Sequence, residues 1–375
     1  MEKTKVLSGV KKLAQRWFID AFSGMALGLF CTLIAGTIIS QIGTWCGDNS
    51  FGKLLVYVGS IAKMLMGAGI GVGIAYKLKC PPLVIFSAAV TGLIGAFAGN
   101  IVSYLCETGA FSPIAFGAPG NPIGSYVVAL FTIEIACLYA GKTKLDIVLV
   151  PLGMIVLSFG GIFLAWPFIK LIELLGMGIA LAIQSGTAVK IIVGIFVAVV
   201  MGILLTMPTS SAAIWIAIAA AIPAEYAEAL SIAGGAAVAG CAAHMIGFAV
   251  ASFRENKWGG LISQGIGTSM LQIPNIMKKP QIMIPEIIAS VFAGLAAVLF
   301  DLRCNASGGG MGTSGLVGVF GTISESTNWQ IPTVNLVLGI ILCLFVIPAV
   351  VSFGVSEIMR KKGWIQFGDM SLDEK

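Results

Sequence analysis

Long apolar stretches alternate along this chain with short breaks that carry lysine, arginine, proline or glycine. Residues 191–224 hold no charged side chain, and several runs exceed the roughly 20 apolar residues that a helix needs to cross a bilayer. The pattern predicts spans at about 19–43, 54–76, 82–105, 122–141, 145–168, 188–207 continuing to 222 after a break, 228–252, 284–300 and 332–357. The stretch 169–187, with Lys170 and Glu173 near one end, reads either as an interfacial helix or as a further short span. Lys3, Lys5, Lys11, Lys12 and Arg16, then Lys77 and Lys79, Lys142 and Lys144, Arg254 and Lys257, and Arg360 to Lys362 cluster at span ends. The positive-inside rule puts all of them, and both termini, in the cytoplasm. Lys144 and Arg254 share a side only if an even number of crossings separates them, which favours 169–187 as a span and gives ten.

Two segments break the pattern. Residues 261–285 are apolar but interrupted by Pro274, Lys278, Lys279 and Pro280, and residues 305–325, "NASGGGMGTSGLVGVFGTISE", carry seven glycines in 21 positions. Each lies between spans that end and begin on the same side, so each must dip into the membrane and return. Irregular backbone at that depth survives only against protein or a water-filled cavity. The expected architecture is therefore an all-α polytopic membrane protein with two re-entrant hairpins, at about 261–285 and 305–326. It divides into an N-terminal helical scaffold, 1–187, a C-terminal domain that holds the breaks, hairpins and polar clusters, 188–360, and a cytoplasmic tail, 361–375.

Composition agrees. Of 375 residues 58% are hydrophobic and 10% charged, against roughly a quarter charged in soluble proteins. The net charge of +5 sits at span ends and reports topology, not nucleic-acid binding. Eight cysteines without CxxC pairs indicate neither a disulfide framework nor a zinc site, and nothing calls for a metal or a cofactor.

Ionisable groups at membrane depth are functional candidates by default. Lys63 and Glu134 fall at similar depth and are expected to pair, either as a structural lock between N-terminal helices or in a substrate or proton role. His244, the only histidine, follows a run of small residues that lets neighbouring helices approach. It reads as a buried neutral imidazole or as a general base. Glu325 ends the glycine-rich hairpin, where Thr313, Ser314, Thr322 and Ser324 can exchange hydrogen bonds with hydroxyls. Thr209 and Ser210, in "MPTSSA", serve either a helix kink or a ligand. Asn275 is a polar candidate in the first hairpin, and Glu286 follows a proline nearby.

"GTISE" at 321–325, "AAHMIGF" around His244 and the segment 264–290 resemble the membrane-embedded IIC subunits of bacterial sugar phosphotransferase systems. The similarity is to the glucose and diacetylchitobiose superfamily, in its divergent single-domain, perfringolysin-regulator-like branch. The resemblance implies an elevator-type carrier in the bacterial plasma membrane, dimeric through its N-terminal helices and surrounded by lipid. It implies Glu325 on sugar hydroxyls and His244 near the hydroxyl that is phosphorylated, with phosphate delivered by a separate soluble IIB protein. The family's Asn-Glu-Pro sequence is missing from the first hairpin, where "IPNIMKKP" stands. After ten spans about 18 residues remain, so no phosphoryl-carrying domain is expected in the chain. The alternatives are a transporter of another small polar metabolite, uncoupled from phosphotransfer, and a membrane sensor that regulates genes through a soluble partner.

Overall fold

The computed structural model describes residues 12–13, 15–108, 114, 116–207 and 211–372, and every regular element among them is helical. Lys3, Lys5, Lys11, Thr209 and Ser210 lie outside the described residues. Seven of the described helices are long and apolar enough to cross a membrane, or nine if each of two bent pairs counts as one span. The chain forms two compact units, Met1–Leu174 and Leu175–Lys375.

The first unit is held together by glycine. Helix α1 (Arg16–Trp45) runs antiparallel to α2 (Ser50–Met64) and α3 (Met66–Lys77), which meet at a 50° bend. Gly24, Gly28, Gly36 and Gly43 of α1 lie on Gly73, Gly69, Gly59 and Gly52, so backbone touches backbone. A Cβ at Gly36 would come 2.7 Å from the Gly59 carbonyl oxygen. Small residues of this kind let membrane helices pack where no hydrophobic effect drives them together. Helices α4 (Pro82–Ala96) and α5 (Ala98–Ser103) follow, then α6 (Pro122–Tyr139). Asn121 starts α6 by accepting from the amides of Ile123 and Gly124 at 2.9 and 3.0 Å, with Pro122 in the first turn.

Glu134 on α6 does find a cation, but not the expected one. Its carboxylate accepts from Arg16 Nε at 2.7 Å and from Trp17 Nε1 at 3.2 Å, while the Tyr126 hydroxyl donates to Trp17 O at 2.6 Å. Lys63 lies in the last turn of α2, whose packing face is turned to α1 rather than α6. The start of α1 reaches Glu134 instead.

Helix α7 is continuous from Asp146 to Gln184, 39 residues, or about 58 Å. The sequence reading of 145–168 and 169–187 as separate segments is thus corrected. Lys170 and Glu173, taken as a break, neutralise each other one turn apart at 2.9 Å, so the helix continues past them.

In the second unit α8 (Thr187–Thr206) is followed by α9 (Ser211–Ala221) and α10 (Ala227–Ala251). Gly194 faces Ala236, Ala198 faces Gly240 and Gly202 faces His244, a constant offset that makes α8 and α10 parallel. The helix between them must then run the other way. Helix α9 therefore runs against α8, where the sequence suggested a single span continuing to 222. Two expectations are thus corrected, since 146–184 is one helix where two segments were expected and 187–221 is two helices where one span was.

Helix α11 (Phe253–Ile262) enters the first hairpin, α12 (Ile273–Lys278) leaves it, and Pro280–Met283 leads into α13 (Ile284–Leu299). The arms are joined by carboxamides. Gln264 donates to Ser252 Oγ at 2.9 Å, Gln272 to Gln264 Oε1 at 2.8 Å, and Asn275 to Gln272 Oε1 at 2.8 Å. The second hairpin descends through residues 304–316 and returns as α14 (Val317–Asn328) before α15 (Thr333–Lys361). Cys304 N donates to Ser231 O, and Thr313 Oγ1 lies 3.6 Å from Met245 Sδ. This hairpin thus follows α10 for fourteen residues, about 21 Å. Its tip turns at Gly312, Gly315 and Leu316, all with positive φ, a conformation costly for leucine.

After α15 the chain folds back on the first hairpin. Gln272 and Asn256 both donate to Met370 O at 2.9 and 2.8 Å, Asn275 donates to Ser371 O at 2.9 Å, and Leu372 N donates to Asn256 Oδ1 at 2.8 Å. Lys279 Nζ meets Asp369 Oδ2 at 2.6 Å. Burial works against the charged form of Asp369, but Lys279, the Gln366 amide and Arg360 outweigh it and hold the carboxyl below its ordinary value. A lowered carboxylate contributes its stability above the unfolded value of about 3.9 and loses it as pH falls through the folded one. Tail docking is therefore expected to persist at neutral pH and to fail on acidification below the ordinary carboxylate range. Hydrogen exchange of residues 364–372 across an acid titration checks this, and Asp369→Asn should leave exchange high and insensitive to pH in that range.

Candidate functional site

Helix α10 carries "AGGAAVAGCAAHMIGFAVA", and all but Ile246 and Val250 of residues 232–251 are buried. Small residues let α8 and α13 close on it. Gly240 meets the Ala198 carbonyl, and a Cβ on Gly294 of α13 would lie 2.5 Å from Ala198 Cβ. In this packed surround stands His244, fully buried. Its Nδ1 lies 2.8 Å from Thr206 Oγ1, and that hydroxyl lies 2.9 Å from Ser269 Oγ. Nε2 has no hydrogen-bond partner among the described residues. It lies over Gly202, where a Cβ would come within 3.0 Å of it. Whichever tautomer Thr206 selects, Nε2 is the ring nitrogen free for a ligand.

The hairpin tips meet beside this trio. Thr313 Oγ1 donates to Gly265 O at 2.6 Å and Ser314 Oγ to Gly267 O at 2.9 Å. Gly265 to Gly267 and Ser269 belong to the tip of the first hairpin, so the second hairpin presses on the segment that holds Thr206 and His244.

Not every predicted residue gathers there. Thr322 donates to Gly318 O within its own helix at 2.8 Å. Asn275 Nδ2 is used by Gln272 and the tail. Glu325 and the half-buried Ser324 lie near the far end of α14. Ser326 Oγ donates to Arg303 O at 3.1 Å, and the adjacent Cys304 N bonds Ser231 O. Glu325 is thus level with Ser231, thirteen residues before His244 on α10, or about 20 Å. The resemblance put Glu325 and His244 on one sugar, and the structure separates them, because α14 climbs more than two turns from the tip before reaching Glu325. There the carboxylate accepts from Trp329 Nε1 at 2.9 Å, and the ring of Trp329 lies 4.7 Å beneath the Arg303 guanidinium. Arg303 donates to Glu228 and Asp301, each at 3.0 Å. A carboxylate, an aromatic ring and an arginine together make a surface suited to a polyhydroxylated ligand.

One buried group was passed over. Glu286 is fully buried, and neither carboxyl oxygen has a partner on another described residue. Its signal, a single acid inside "IMIPEIIASVF", was visible, but its isolation emerges only from packing.

With this geometry in place, a family model described as Phosphotransferase system, EIIC matches residues 19–372. The chain belongs to the EIIC family. No curated protein and no solved structure gives a significant match. As an EIIC protein it is a multi-pass membrane permease subunit of sugar transport. Both compact units of this EIIC lie almost wholly within the match.

Thr206 joins an α8 hydroxyl, the α10 imidazole and the first hairpin. Thr206→Val keeps the shape and leaves His244 Nδ1 and Ser269 Oγ buried without it. The expected cost is about 1–3 kcal/mol, read as a lowered unfolding midpoint of purified protein in detergent.

Proposed function

We propose that this EIIC takes up a sugar through the second unit and presents it to a separate IIB protein for phosphorylation, with His244 as the base. The observation that carries the reading is the unpartnered Nε2 of His244 beside two hairpin tips joined by hydroxyl-to-carbonyl bonds. Parting of those tips would free Gly265 O, Gly267 O and the hydroxyls of Thr313, Ser314 and Ser269 to meet sugar hydroxyls. Nε2 then takes the proton of the attacking hydroxyl as its oxygen bonds to phosphorus and the phosphoryl group leaves IIB. Glu325 and Trp329, about 20 Å away at the other end of the second hairpin, would hold a sugar before it reaches His244. In this scheme the first unit, with its glycine-packed helices, is the scaffold and dimer surface, and the second is the moving carrier.

The basic clusters of the second unit support cytoplasmic access for IIB. Arg254 pairs with Glu357 and Arg360 with Glu255, so the clusters after α10 and at the end of α15 share one side, which the positive-inside rule makes the cytoplasm of a bacterial plasma membrane.

The test uses purified protein in liposomes, a panel of radiolabelled sugars, and phosphorylated IIB. His244→Ala is expected to bind sugar within a few-fold of the wild type while phosphorylation falls about 10²-fold or more. Equal loss of binding and phosphorylation would sink the base role. For Glu325→Gln, loss of a charged hydrogen bond of about 1.5–3 kcal/mol should raise the sugar Kd roughly ten- to a hundredfold. Calorimetry on the same sugar checks this.

A further inference from the structure

Glu286 lies in the first turn of α13, where that helix crosses α10 and α15. Gly247 of α10 provides the space. A Cβ there would lie 3.0 Å from Glu286 Cγ and 2.5 Å from Ser352 Oγ of α15, so acid and hydroxyl flank the same point. Both carboxyl oxygens and the Ser352 hydroxyl are buried and without hydrogen-bond partners on other described residues. An isolated carboxylate in such a setting is very costly, and taking up a proton removes the charge.

No counter-charge is at hand. On α10 His244 turns to α8, with Nδ1 on Thr206 and Nε2 over Gly202, and α13 has no other charged residue. On α15 Arg360 pairs with Glu255 at 2.8 Å and with Ala251 O, Glu357 pairs with Arg254 at 2.9 Å, and Lys361 is exposed. On α8 Lys190 meets Asp301 at 3.6 Å at the opposite end. In the arm preceding α13 Lys278 is exposed and Lys279 is held by Asp369.

We propose that Glu286 is a proton-binding site whose occupancy is linked to seating of the first hairpin. The outgoing arm of that hairpin, Pro280–Met283, runs straight into the turn that carries Glu286. Ile276 and Ile282 of the hairpin pack with Phe248, Ala251, Met359, Ile365 and Met370, an apolar seal beginning one residue along α10 from Gly247. When the seal is closed the carboxyl is dry and holds its proton. When the hairpin lifts, water reaches the carboxyl, and the proton leaves to solvent as the carboxylate forms. The closed state therefore binds one more proton than the open state, and rising pH favours opening by up to tenfold per pH unit.

Infrared spectroscopy of the full chain in nanodiscs, without sugar or IIB, tests this. In sodium-free buffer at neutral pH the wild type should give the carbonyl stretch of a protonated carboxyl that Glu286→Gln lacks. Hydrogen exchange of residues 264–283, corrected for intrinsic pH dependence, should rise with pH in the wild type and stay flat in Glu286→Gln. The wild-type titration stands by itself if the variant folds poorly. Absence of the protonated band at neutral pH, its persistence in Glu286→Gln, its loss on adding sodium chloride, or wild-type exchange independent of pH would each overturn the proposal. Because neither substrate nor partner is present, these outcomes are independent of the sugar reading.

Discussion

Two hydroxyl groups hold the second unit's irregular backbone at membrane depth. Thr313 and Ser314 donate to the carbonyls of Gly265 and Gly267, so the tip of one hairpin satisfies polar groups at the tip of the other. In hydrocarbon an unsatisfied carbonyl costs several kcal/mol, and neither tip is self-sufficient. The geometry of the site follows from that dependence. Ser269 is brought to Thr206, Thr206 fixes one nitrogen of His244, and the other nitrogen is left for a ligand.

Glycine and alanine on α10 make this meeting possible. Close approach of α8 and α13 leaves room for few larger groups, and His244 and Glu286 are the titratable ones among them. Gly202 accommodates the imidazole, and Gly247 accommodates the acid and the serine. Each glycine that opens a space for a polar group also fixes which group occupies it, since a methyl at either position would collide with the side chain now present.

Much of the membrane architecture is legible in the sequence because apolar length alone separates a span from a loop, and interruptions by proline and lysine mark the first hairpin. Direction is less legible. Nothing in "LLTMPTSSAAIW" distinguishes a kinked span from a reversal, and the decision comes from the pairing of α8 with α10, residues about forty apart. The partner of Glu134 was misread for a related reason. Similar depth was the ground for pairing Lys63 with Glu134, but depth does not say which helices adjoin, and Arg16 reaches Glu134 across 118 positions. Motif similarity singled out His244 and Glu325 together. It could not place Glu325, because a motif carries no information about how many helical turns separate it from the tip.

The docking of the tail on the first hairpin bears on the order of assembly. Asp369 follows Lys279 by 90 residues, and Met370 supplies the carbonyl that two hairpin carboxamides share. At ordinary rates of translation that interval is about 5–20 s. During it α13, the second hairpin and α15 must be inserted while the first hairpin lacks its last hydrogen-bond partners. The fold thus completes a segment made early only with one made late, so a chain stalled between them would carry the first hairpin without its seal.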